Sequence, residues 1–175
     1  GLASVIAGLA LQDALKDIIM GFNIIVDGYF TVGDILRIDS IEGKVLELGL
    51  KTTKLKDIAN GNIYTVANRN ISSALVLSNE LYLEVPLSYE LDLKTADEVL
   101  NIIAEKISKL ENVDECKYLG LHEFNDSSIA YKIKIIAKPN LKFQIKRDAN
   151  RIIKEELDSR VISIPYPQLD VHQKK

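Results

Sequence analysis

The side chains able to do chemistry in this chain are few and scattered. One cysteine, Cys116, and two histidines, His122 and His172, stand apart in the sequence. A thiol nucleophile needs a nearby base, and a zinc site needs several ligands at short spacing; neither pattern is present. Asp13 and Asp17 lie one helical turn apart and could in principle bind a cation. With Lys16 between them they read instead as a solvated helix face. His122, between Leu121 and Glu123, suits a strand surface or interface, and Ser127-Ser128 falls in a turn, where serine serves the backbone. There is no Gly-rich phosphate loop and no nucleophile elbow. The sequence thus predicts no catalytic residue, no metal and no cofactor. A net charge of −3 provides no field for nucleic acid, and Lys138, Lys142, Lys146 and Arg147 read as one solvated helix face. A lone cysteine excludes an internal disulfide and fits a reducing compartment.

Residues 1–12 (GLASVIAGLALQ) offer a physical rather than a chemical function. On a helix, Gly1, Ser4 and Gly8 line one side, while Ala3, Ala7, Ala10 and Ala14 line another roughly opposite. Between them runs a ridge of Leu2, Val5 and Leu9, with Ile6 at its edge. Two small faces let a helix touch two neighbours at close range, as when helices ring an axis inside a membrane, and the ridge then points inward. The same composition also suits a buried helix of a soluble core; a secretory signal would want a basic start and a cleavage site. Twelve residues rise only ~18 Å, against the ~20 residues of a full span, so this stretch reads as the tail of a longer one. Asp13, Lys16 and Asp17 then imply that the helix leaves hydrocarbon near residue 12 and follows a membrane–water boundary or a protein surface. Gly21 is the expected bend in the apolar stretch 18–26, which ends at Asp27-Gly28.

The elements that must carry this helix form two textures. Short strands are expected at 34–39, 44–50, 52–57, 62–67 and 71–77, with turns at Ile41-Glu42-Gly43, Lys51, Asn60-Gly61 and Asn68-Arg69-Asn70. They suggest a small, strongly bent sheet or partly open barrel. After a boundary near Ser78-Asn79 comes a strand at 80–86. A helix follows, capped by Thr95 with Glu98, its apolar stripe running Val99, Leu100, Ile103, Ile107 and Leu110. A hairpin of 117–124 and 129–137 precedes a second helix opened by Pro139-Asn140, and VISI (161–164) is expected as a last strand. That order, βαββαβ, is the ferredoxin-like split unit. The fold class is therefore α+β: helix 1–30, an Sm-like five-stranded β domain at 31–78, a ferredoxin-like domain at 79–165 and an extended strand at 166–175, suited to sharing between chains.

Three stretches of this ordered set resemble the small-conductance mechanosensitive channel (MscS) family. GLALQDALKDIIMGF (8–22) is similar to the end of its pore helix and the interfacial half-helix that follows. VGDILRI and EGKVLELGLKTTKLKDIANGNIYTVANRNI, within 32–71, resemble its β domain, and VISIPYPQLDV (161–171) resembles the exit from its αβ domain. The resemblance implies a homoheptamer in a cell inner membrane, in contact with lipids. Membrane tension would open it to pass ions and small osmolytes during hypo-osmotic shock, with residues from about 27 onward cytoplasmic. It puts the family's two pore-constricting residues on Val5 and Leu9, where the family typically has Leu at the first. It puts the kink on Asp13, often Gly in the family, which makes Gly21 the better hinge. The family's Pro-Asn after the fourth strand is Ala67-Asn68 here, and tension-sensing helices are expected before Gly1. The alternative is a soluble oligomeric module whose Sm-like barrel binds RNA or a small ligand. Against it, Tyr64 is the only aromatic residue between 33 and 77.

Overall fold

Strand alternation and turn chemistry account for most of the first unit, Gly1–Ser78, in a computed structural model that describes residues 1–167. Helix α1 (Leu2–Val26) leads into five strands: β1 (Ile35–Ile38), β2 (Ile41–Leu48), β3 (Thr52–Asp57), β4 (Ile63–Ala67) and β5 (Leu75–Val76). They pair antiparallel in the order β4-β3-β2-β1-β5. Apolar positions of the strands face inward with Ile24, Phe30 and Ile71, around Leu36, Ile38, Val45 and Leu55. Between β3 and β4 the Asp57 carboxylate accepts the Ala59 amide at 2.7 Å, and Gly61 takes a φ of +78° that its lack of Cβ permits.

Two expected boundaries in this unit move. The turn assigned to Ile41-Glu42-Gly43 belongs to β2, and the chain instead reverses at Asp39, which takes a φ of +52°. Gly43 is there for contact: a Cβ on it would stand 3.0 Å from that of Leu55 on the paired strand. The strand expected over 71–77 shrinks to Leu75–Val76, because Asn68–Asn70 form a 3-10 turn and Ile71 drops into the core.

The second unit, Asn79–Lys175, holds β6 (Glu80–Leu87), α2 (Leu93–Ser108), β7 (Val113–Phe124), β8 (Ile129–Ala137) and α3 (Lys142–Ser159). The three strands pair antiparallel in the order β6-β8-β7. Leu83, Val85 and Leu87 of β6 point into a core shared with Val99, Leu100 and Ile103 of α2 and Ile145, Ala149 and Leu157 of α3. Glu80 and Glu84 of the same strand are exposed, so both helices cover one face of the sheet. The cap of α2 is Asp92 rather than Thr95: its carboxylate accepts the Thr95 amide at 3.0 Å and the Thr95 hydroxyl at 2.5 Å. An aspartate three residues upstream reaches the free amides better than a threonine already inside the first turn. Glu156, almost wholly buried, joins the helices by accepting from Lys106 at 2.5 Å and Arg160 at 2.8 Å.

Residues 161–164 form no strand. Val161 instead closes α3 in the left-handed region, and Ile162 turns back onto the core, leaving β-α-β-β-α without a fourth strand among the described residues. Of the extended stretch expected at 166–175, residues 168–175 lie outside the described residues. No helix among the described residues is long and apolar enough to cross a membrane.

Candidate functional site

α1 has two halves with opposite surroundings. In its C-terminal half the buried residues are Asp17, Gly21 and Ile24. With Ala10 and Ala14 they continue one line at alternating spacings of 4 and 3, so the seat on the sheet prolongs the alanine face. Ile24 enters the apolar core. Gly21 meets main chain so closely that a Cβ would collide with the Leu50 carbonyl oxygen and stand 2.6 Å from the Asn68 amide nitrogen. Gly21 is thus a contact glycine in this conformation, and it and Asp13 both lie within the single helix α1.

Asp17 is not the solvated charge that its sequence neighbours suggest. It is 5% exposed, its Oδ1 accepts the Arg69 backbone amide at 2.9 Å, and its Oδ2 pairs with the Arg69 guanidinium. The reason is the buried end of the 3-10 turn, whose unpaired amide needs an acceptor and whose arginine supplies a counter-charge. Asp13 stays exposed, 3.9 Å from both Lys16 and Arg69. Beneath them Asn68 is wholly buried and satisfied on every side. It accepts from the Thr53 hydroxyl at 2.9 Å and donates to the carbonyls of Gly49 and Leu50 at 3.0 and 3.1 Å. Sequence reading missed Asp17, Arg69 and Asn68 as a set. The available signal was the place of Asp17 on the alanine line, where a free charge has no business.

The N-terminal half is exposed along its length. Gly1, Ala3, Ser4, Ala7, Gly8 and Ala10 are all exposed, and Ala14 is the first residue of either small face to be partly covered. Val5 and Leu9 stand one turn apart at 58% and 65% exposed, with Leu2, Ile6 and Leu11 equally bare. A run of apolar side chains this size on one rigid element marks an interaction surface.

The remaining chemistry is quiet. Burial pushes the Cys116 thiol up to about 12, so it carries no thiolate at neutral pH. His122 lies on the exposed face of β7, 3.4 Å from Glu84 and 3.2 Å from Lys132, partners for a surface ion cluster rather than for a nucleophile. His172 lies outside the described residues. Among the described residues no group of three His, Cys, Asp or Glu side chains could hold a metal ion.

Comparison with known proteins draws these parts together. Residues 13–77 match the family model of the mechanosensitive ion channel beta-domain, and residues 82–164 match that of the mechanosensitive ion channel MscS C-terminal domain. The chain belongs to the MscS family. A small-conductance mechanosensitive channel of Caldanaerobacter subterraneus is 31% identical over 180 residues, covering 98% of this chain and 62% of that protein. The crystal structure of closed-state Helicobacter pylori MscS overlays with a TM-score of 0.78 at 26% identity, covering 100% of this chain and 71% of that one. Arabidopsis thaliana MSL1 shares the fold, with a TM-score of 0.61 at 19% identity over 96% of this chain and 64% of its own. The chain spans 62%, 60% and 64% of the length of three curated MscS relatives. The alternative of a soluble Sm-like binding module finds no support among these relatives.

Proposed function

We propose that this chain is part of the subunit of a tension-gated channel, in which the bare half of α1 is the cytoplasmic end of a pore helix. The observation that carries the reading is an uncovered helix end of small and apolar residues held on a docked second half, in a chain of the MscS family. In a closed ring, a homoheptamer in this reading, the two small faces meet neighbouring helices and the ridge of Val5 and Leu9 faces the axis. A narrow throat ringed by such side chains does not hold a continuous water column, so ions stop there without any charged gate. Tension favours whichever state has the larger area in the membrane, and helices parting along small faces widen the throat for ions and small osmolytes. Val5 is smaller than leucine and leaves this throat easier to wet. On this reading the ring lies in a cell inner membrane among its lipids, with both β-rich units in the cytoplasm, and Asp13 and Gly21 are the places where α1 would bend.

The test is patch recording of the full-length protein under graded suction, comparing the wild type with Leu9→Ser. The hydroxyl should hydrate the throat and produce leak or opening at lower suction. Gating identical to the wild type would put the constriction elsewhere.

A further inference from the structure

α3 ends on a residue poorly suited to its backbone. Val161 has a φ of +59°, in the left-handed region that glycine and asparagine enter readily and β-branched residues almost never. The hydrogen bonds show why the chain is held there. The Val161 amide donates to the Asp158 carbonyl at 3.0 Å, and the Ile162 amide reaches back to the Leu157 carbonyl at 2.9 Å. These are the two closing bonds of a Schellman motif, which is ordinarily built on glycine at this position. Ile162 completes the motif by packing against the core that contains Leu157. Val161 itself gains nothing from the arrangement: its side chain is 93% exposed.

Local preference on the far side runs the other way. Val161-Ile162-Ser163-Ile164 is a strand-favouring run, and Pro165 confines Ile164 to extended backbone. The segment therefore has a relaxed extended form within reach, opposed among the described residues by two terminal hydrogen bonds and the partial burial of Ile162 and Pro165. A conflict between local and tertiary preference of this kind is where a fold keeps two states close in energy.

We propose that Val161 makes the end of α3 a sprung joint, with the capped state described above in exchange with an open state in which residues 161–164 are extended and Ile162 has left the core. The strain at Val161 sets the balance, so that force or binding on the segment beyond Pro165 opens the joint before α3 itself unwinds. The proposal rests on this backbone geometry and not on the channel reading.

Hydrogen exchange of the Val161 and Ile162 amides in the full chain tests it, with Ile153 and Leu157 amides reporting global opening. Val161→Gly and Val161→Asn both remove the strain and should slow exchange at residue 162 about tenfold, the factor that a left-handed penalty of this size implies. Val161→Ala keeps a Cβ and should stay nearer the wild type, and Ile162→Ala should speed exchange at the same site. Using asparagine beside glycine guards against the extra freedom glycine gives the open state. If neither Gly nor Asn slows the Ile162 amide, or if all the reporter amides move together, the sprung joint is wrong.

Discussion

Glu156 is a buried carboxylate held between two cationic side chains. Hydrogen bonds from Lys106 and then Arg160 hold its carboxyl below the usual glutamate range, outweighing the opposing effect of burial. A folded-state value below the unfolded one means that its stabilisation is complete above about pH 4.3 and disappears as the pH falls through the lower, folded value. Glu156→Gln should therefore cost about 1–2 kcal/mol at pH 7, given the charge-assisted bonds lost and the half-exposed lysine partner. Denaturant unfolding of wild type and variant at neutral pH and near pH 3 checks the sign: the gap should close in acid. A constant gap would mean that packing, not charge, is what Glu156 supplies. Asp17 makes a similar pair with Arg69 across the seat of α1, while Lys16 pairs with Asp13 at 3.9 Å.

In the proposed channel the deciding element is α1, and its behaviour depends on how firmly its second half is seated. Gly21→Ala isolates that question. Alanine is the better helix former by about 1 kcal/mol, yet its methyl group must enter space held by the Leu50 carbonyl and the Asn68 amide. Those atoms are main chain and a fully bonded, buried side chain, so they cannot move aside cheaply. We expect the collision to win, with the first unit destabilised by about 1–3 kcal/mol and faster amide exchange across residues 17–24. A stabilised variant would show instead that the contact is loose and that Gly21 serves as a bend.

At the scale of the whole molecule, the proposed channel gives the bare half of α1 its role among copies of the chain. If Ala7 and Gly8 face neighbouring helices in a ring, leucine at either place forces the helices apart or locks them out of their packed positions. The expected result for Ala7→Leu and Gly8→Leu in the full-length protein is a raised opening threshold in patch recordings, with conductance changed less than threshold. A normal threshold in both would remove the small faces from the interface. Neither substitution touches a described contact within the chain, so the change reads association and gating rather than folding.

How much of this was legible in advance follows from the range of the forces involved. Helical spacing alone distinguishes the ridge of Val5 and Leu9 from its small flanks, because periodicity needs only near neighbours along the chain. Alternation and Asn60-Gly61 likewise announce the strands of the first unit, and the stripe from Val99 to Ile107 announces α2. The seat of α1 was not legible. Asp17 and Arg69 are 52 residues apart, Asn68 and Gly49 are 19 apart, and nothing local says that those groups will be buried together. The VISI run shows the limit from the other side: its residues favour a strand, and the closing bonds of α3 with the burial of Ile162 override them. By itself the sequence determined which surfaces are apolar, small or charged. The tertiary structure decided which of them are covered, because burial and charge pairing depend on groups that only folding brings together.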